Sequence, residues 1–101
     1  QKIEEKKYTK WFDYDKIKNS PCVRTRRQGD YLTVNSEGGR KKLNRIFIDE
    51  KIPAGLRDQI PVVAAGSEIL WIPGGRMNEQ YKITSTTGRV LELHYQGGVL
   101  T

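Results

Sequence analysis

The residues of this chain with the clearest capacity for chemistry are cations. Arg40, Lys41 and Lys42 open the stretch GGRKKLNRIFIDEKIP, Arg45 follows, and Arg24, Arg26 and Arg27 lie upstream in RTRRQGD. Arginine offers a planar fork that matches two phosphate oxygens, and lysine a compact point charge, so such arrays suit phosphate. With Lys51 and Arg57, the window from Arg24 to Arg57 holds nine basic residues against four acidic ones (Asp30, Glu37, Asp49, Glu50), which is +5 of the chain's net +6. Arg76 follows Pro73, Gly74 and Gly75, on a loop able to approach a ligand. These ten cations are the candidate phosphate-binding set; the structural alternative for each is a solvated, solubilising face.

Other chemistries lack their parts. His94 is the only histidine and Cys22 the only thiol, so neither a zinc site nor a Ser-His-Asp or Cys-His arrangement can be assembled, and no catalytic or metal residue is assigned. No GxxxxGK[ST] or GxGxxG pattern occurs, which argues against nucleotide hydrolysis or dinucleotide binding. Asp49 and Glu50 are the best remaining carboxylate pair, but adjacent helical residues point about 100 degrees apart and cannot readily share a metal. Asp13 and Asp15 alternate with Phe12 and Tyr14 as the wet face of an edge strand would. Trp71 could stack on a base, yet Leu70 and Ile72 beside it favour the core. A single cysteine permits no intramolecular disulfide, and no apolar run approaches the ~20 residues of a membrane span, so the expected home is cytoplasmic, with no membrane partner. The start at Gln1 in a polar run reads as a piece of something longer.

Several elements must position these cations. Leu43, Ile46 and Phe47 fall on one face of a helix, with Lys41, Arg45 and Asp49 on another; Gly38 and Gly39 turn into it and Pro53 stops it by Ile52. Arg40, Lys41 and Lys42 then crowd the first turn, where cations oppose the helix dipole and a bound phosphate would account for them. CVRTRRQGDYLTV reads as a strand, a Gly-Asp turn and a returning strand, with Arg24 and Arg26 projecting from one face as two fixed forks suited to phosphate or sugar-edge contacts. NSEGG, residues 35–39, is expected to be mobile. Pro53 to Ile60 reads as a second short helix with Leu56 and Ile60 inward. Val62 to Ala65 and Ile69 to Ile72, joined at Gly66 and Ser67, lack polar alternation and form the hairpin at the middle of the core. YKITS and RVLELHY suggest another hairpin around Thr87 and Gly88, with Tyr81 and Ile83 on one face. The fold class is α+β: a small, mostly antiparallel, barrel-like sheet of about six strands with two short helices, in one domain over residues 1–101, with a charged lead-in at 1–7 and a frayed tail at 96–101.

Four ordered motifs, RTRRQGD, GRKKLNRIFIDEKIP, LRDQIPVV and EILWIPGGR, together resemble the C-terminal domain of bacterial tRNA(Ile)-lysidine synthetases. The resemblance runs from about Trp11 to Leu93. It departs where the family commonly has proline at the position of Gln28 and leucine at that of Gly75, both in turns. It implies a parent ligase that uses ATP, with magnesium, to join lysine to the wobble cytidine of an isoleucine tRNA. That chemistry belongs to an N-terminal catalytic domain of the same chain, and this fragment is expected to be non-catalytic with no cofactor of its own. The implied role here is to hold the tRNA acceptor stem and help reject the methionine tRNA bearing the same anticodon. The alternative is a basic protein-interaction domain that docks on an acidic partner or on other domains of its own enzyme.

Overall fold

The computed structural model describes residues 8–96 together with 99 and 100. Its strands are β1 (Thr9–Asp13), β2 (Cys22–Arg24), β3 (Tyr31–Thr33), β4 (Arg40–Lys42), β5 (Val62–Ala65), β6 (Glu68–Trp71), β7 (Val90–Gln96) and β8 (Val99–Leu100). One α-helix, α1 (Leu43–Asp49), follows β4 directly, and 3-10 turns cover Tyr14–Lys16, Ala54–Gln59 and Glu79–Tyr81. The class is α+β as expected. The strands, however, form two open sheets, ordered β2-β5-β6-β3-β4 and β1-β7-β8. Closure into a barrel would require the edges to pair, and β2 and β4, three residues each, lie at opposite ends of the larger sheet.

The central hairpin is where its apolar runs place it. β5 and β6 pair antiparallel around Gly66 and Ser67, and every residue of β5 and the last three of β6 are buried. Both faces are covered because each carries its own core. On one side Leu32, Val62, Ala64 and Ile69 pack against Leu43, Ile46 and Phe47 of α1. On the other, Val63, Ala65, Leu70 and Trp71 pack with Phe12, Tyr81 and Leu93, beneath the smaller sheet. Trp71 is fully buried, its ring 6.2 Å from that of Phe12, and so belongs to the core.

Two pairings and one exposure differ from expectation. β2 and β3 are not neighbours: β2 pairs with β5, while β3 pairs antiparallel with β4 and parallel with β6 at Tyr31 and Glu68. The chain from Arg24 to Tyr31 therefore crosses the end of the sheet instead of turning back in a hairpin. YKITS is not a strand; Tyr81 ends a 3-10 turn, Ile83 is exposed, and β7 pairs with β1 over five residues. The loop before β7 folds over Asp13, so that its carboxylate is buried and accepts a hydrogen bond from Thr87 Oγ1 at 3.0 Å instead of facing solvent. The expected lead-in at 1–7 and part of the expected frayed tail lie outside the described residues, but Val99 and Leu100 pair with Gln96 and Tyr95.

Helix α1 ends by a two-bond C-terminal motif. Ile52 N–H donates to Phe47 O and Lys51 N–H to Ile48 O, with Lys51 at φ 60°. Pro53 then starts a 3-10 turn, not an α-helix. At three residues per turn, positions four apart no longer share a face, which is why Leu56 is half exposed while Ile60 packs on the core. Among the described residues no helix is long and apolar enough to cross a membrane.

Candidate nucleic-acid interface

Arg40, Lys41 and Lys42 are a strand, not the first turn of a helix. They pair residue for residue with Thr33, Leu32 and Tyr31, so their conformation is set by the β3 ladder. Lys42, extended at φ −69° and ψ 143°, precedes the helix without capping it, and Leu43 N–H donates to Asp30 O at 2.9 Å. The dipole argument for a phosphate at a cationic helix start therefore does not apply. What replaces it is the two-residue period of β4. Arg40 and Lys42 project from one face of the edge strand, and Lys41 projects from the other, toward α1.

The hairpin holding β4 is tied at its turn. Asn35 Oδ1 accepts from Glu37 N–H at 3.0 Å and Gly39 N–H at 2.9 Å, and Val34 N–H donates to Gly39 O at 2.8 Å. A Cβ at Gly39 would lie 2.6 Å from Asn35 Nδ2, so any larger residue there must displace the Asn35 side chain. NSEGG is thus a hydrogen-bonded turn. Beside it, the Arg40 guanidinium sits over the ring of Tyr31, 4.7 Å from the centroid.

The remaining cations divide by partner. Arg24 is the one least available to a ligand. Its Nη1 and Nη2 each donate to Asp30 at 2.8 Å, Nη2 also donates to Gly66 O, and the side chain is 9% exposed. Asp30 in turn accepts from Arg27 N–H at 2.7 Å. That clasp, which raises the pKa of Arg24 chiefly through the Asp30 hydrogen bond, fastens the 24–30 crossing to the β5–β6 turn and the start of α1. The fork expected to meet phosphate is therefore fixed on an internal carboxylate instead. Arg26 donates to Asp58 Oδ1 and to Asn44 Oδ1, each at 2.8 Å, and its neighbour Arg27 is exposed.

On the helix side, Asp49 accepts both Lys41, at 2.5 Å, and Arg45, at 3.2 Å. The three residues that recur every four positions do meet, although Lys41 reaches Asp49 from a strand. The lysine contact, first among the causes, lowers the Asp49 pKa. At the far end of α1, Arg76 lies 3.8 Å from Glu50, and Arg57 Nε donates to Ile52 O. Among the described residues Arg27, Arg40, Lys42, Lys51 and Arg57 have no carboxylate partner, and none of the described His, Cys, Asp and Glu side chains cluster as a metal site. Arg26, Arg27, Arg40, Lys41, Lys42 and Arg45 thus gather around the β4 edge and the start of α1. Lys51, Arg57 and Arg76 sit at the helix's other end. Tyr31, Asn35, Asp30 and Asp58 are the contributors that sequence reasoning missed. Their partners lie up to 32 residues away, and no local pattern marks them.

The architecture and surface define a small basic α+β module. Residues 22–93 match the family described as the TilS substrate C-terminal domain, and the chain belongs to that family. It is 49% identical over 87% of its length to a tRNA(Ile)-lysidine synthase of Caldanaerobacter subterraneus subsp. tengcongensis. To the tRNA(Ile)-lysidine synthase of Clostridium tetani it is 41% identical over 89% of its length. In each case the chain spans only 19% of the relative. A solved structure titled as the crystal structure of the TILS C-terminal domain superposes with a TM-score of 0.71 at 35% identity, covering 89% of this chain and 70% of that one.

Proposed function

We propose that this domain grips the acceptor stem of an isoleucine tRNA for a cytoplasmic tRNA(Ile)-lysidine synthase. The observation that carries the reading, beside family membership, is the basic β4 edge. Arg40 and Lys42 face solvent there with no carboxylate partner among the described residues, while Lys41 and Arg45 share Asp49 on the α1 side. A-form RNA is recognised mainly through phosphates, 2′-hydroxyls and shape, and an arginine and lysine edge supplies phosphate contacts without demanding a pocket. Arg26, Lys51, Arg57 and Arg76 extend the charge, whereas Arg24 supports the platform from within. In the parent enzyme ATP, with magnesium, drives ligation of lysine to the wobble cytidine in an N-terminal domain, and this module contributes by holding the correct tRNA and disfavouring the methionine tRNA.

Footprinting of isoleucine tRNA with and without the 101-residue chain tests the proposal. Protection is expected on the acceptor stem, and protection confined to the anticodon arm would overturn it. Affinity should fall with salt, and Arg40→Ala and Lys42→Ala should each reduce the slope of log affinity against log salt by about 0.7 to 0.9. Displacement by polyglutamate as readily as by bulk tRNA would instead favour docking on an acidic protein surface.

A further inference from the structure

We infer that Tyr31 is a positioning residue that fixes Arg40, so that Arg40 and Lys42 hold two consecutive phosphates of one RNA strand. The inference rests on the RNA-binding reading above and specifies how one part of that surface works.

Two residues along a strand stand about 6.6 Å apart, twice the rise per residue. That is comparable to the separation of consecutive phosphates along a nucleic-acid backbone, so alternate side chains of β4 are in step with such a ligand. A flexible arginine would lose much of its rotamer freedom on binding, which offsets the contact it makes. Here that loss is largely taken at folding. Arg40 lies diagonally across from Tyr31, whose own Cα partner on β4 is Lys42, and its guanidinium carbon is 4.7 Å from the Tyr31 centroid. The ring offers no competing carboxylate, and Arg40, exposed and without a carboxylate partner among the described residues, keeps its donors for an anion. Tyr31 is held in turn from both sides: toward β6 it pairs with Glu68 and its N–H donates to Ser67 O at 3.1 Å, and toward β4 it pairs with Lys42. The Asn35 turn fixes the register of β4 against β3. Arg26 and Lys41, by contrast, must be released from Asp58 and Asp49 before binding a phosphate in full.

The test is a double-mutant cycle between Tyr31→Leu and Arg40→Ala, read as affinity of the 101-residue chain for an isoleucine tRNA acceptor-stem minihelix at several salt concentrations. Tyr31→Leu should weaken binding about two- to fivefold, the size of an exposed cation–π interaction. It should have no further effect once Arg40 is alanine, and Tyr31→Phe should bind as wild type. Because Tyr31 is half-buried, a second series guards against loss of fold. Phenylalanines of increasing fluorination at position 31 keep the shape while removing the negative ring face, and affinity should fall stepwise. Equal losses from Tyr31→Leu with and without Arg40, or no response to fluorination, would overturn the positioning role. An unchanged salt slope in Arg40→Ala would overturn the two-phosphate site while leaving RNA binding elsewhere on the domain intact. Failure of the wild-type chain to bind the minihelix would remove the underlying reading and this inference with it.

Discussion

Arg24 has both terminal nitrogens on the buried carboxylate of Asp30, and Arg40 has its guanidinium over an aromatic ring at the surface, so equal truncations should have opposite consequences. Arg24→Ala leaves Asp30 buried without its counter-ion and should cost about 3–5 kcal/mol in chemical denaturation, whereas Arg40→Ala should stay within about 0.5 kcal/mol. A fully stable Arg24→Ala protein with weakened RNA binding would make Arg24 a ligand residue instead. Lys51 occupies the left-handed position that ends α1, at φ 60°. Lys51→Gly removes a side chain that is disfavoured there, and a gain of about 0.5–1 kcal/mol is expected; a loss in the same denaturation experiment would contradict the strain. Tyr81 is buried and donates to Glu68 Oε1 at 2.5 Å; burial first, then that bond, push its pKa above the ordinary value of 10.0. With the folded value raised, its stabilisation is complete below pH 10.0 and is lost as pH rises beyond it. The stability difference between wild type and Tyr81→Phe should therefore narrow above about pH 10, and a constant difference would exclude the linkage.

At the scale of elements, the β3–β4 hairpin matters most, because it decides that Arg40 and Lys42 share a face. Its turn can be tested by coupling. Gly39→Ala should push Asn35 off its two backbone donors and lower the melting temperature, while the same change in an Asn35→Ala background should cost less, because the obstructing amide is gone. Purely additive effects would mean that the turn does not depend on that close approach. Helix α1 is short, at seven residues, and its stability comes from Leu43, Ile46 and Phe47 against the sheet. Phe47→Ala should accordingly cost about 3–5 kcal/mol in thermal or chemical unfolding, far more than any change among its exposed charges.

At the scale of the molecule, the larger sheet is covered by α1 on one face and by the β1-β7-β8 sheet on the other, which leaves its β4 edge as a place for a partner. A three-residue edge strand of sequence Arg-Lys-Lys is also a poor template for another strand, since charge discourages edge-to-edge pairing. Such an edge suits the anionic ligand proposed above better than it suits a second strand. Lys41 and Arg45 share Asp49, and Arg26 has Asp58, so the local field is weaker than the residue count suggests. Asp49→Asn should tighten binding to unrelated duplex RNA and steepen its salt dependence; unchanged non-specific binding would show that this carboxylate does not moderate the surface.

The amino-acid sequence by itself determined the β5–β6 core hairpin, the apolar face of α1, the burial of Trp71 and the family, because each depends on local periodicity, turn residues or ordered motifs. The concentration of basic charge between Arg24 and Arg57 was equally legible. Tertiary structure alone decided what those charges do. The segment Arg40 to Lys42 has no apolar residue to betray its period, so pairing with β3 made it a strand where helix propensity extended α1 backward. Nothing local distinguishes Arg24 from Arg26 or Arg27; Asp30 and Gly66 O, brought together by the crossing of the sheet end, took Arg24 inside. YKITS had the composition of a strand, but β7 pairs over five residues with β1, distant in sequence, instead. Register, partner choice and charge pairing are long-range properties, set by which surfaces can be buried together and not by the residues along any one segment.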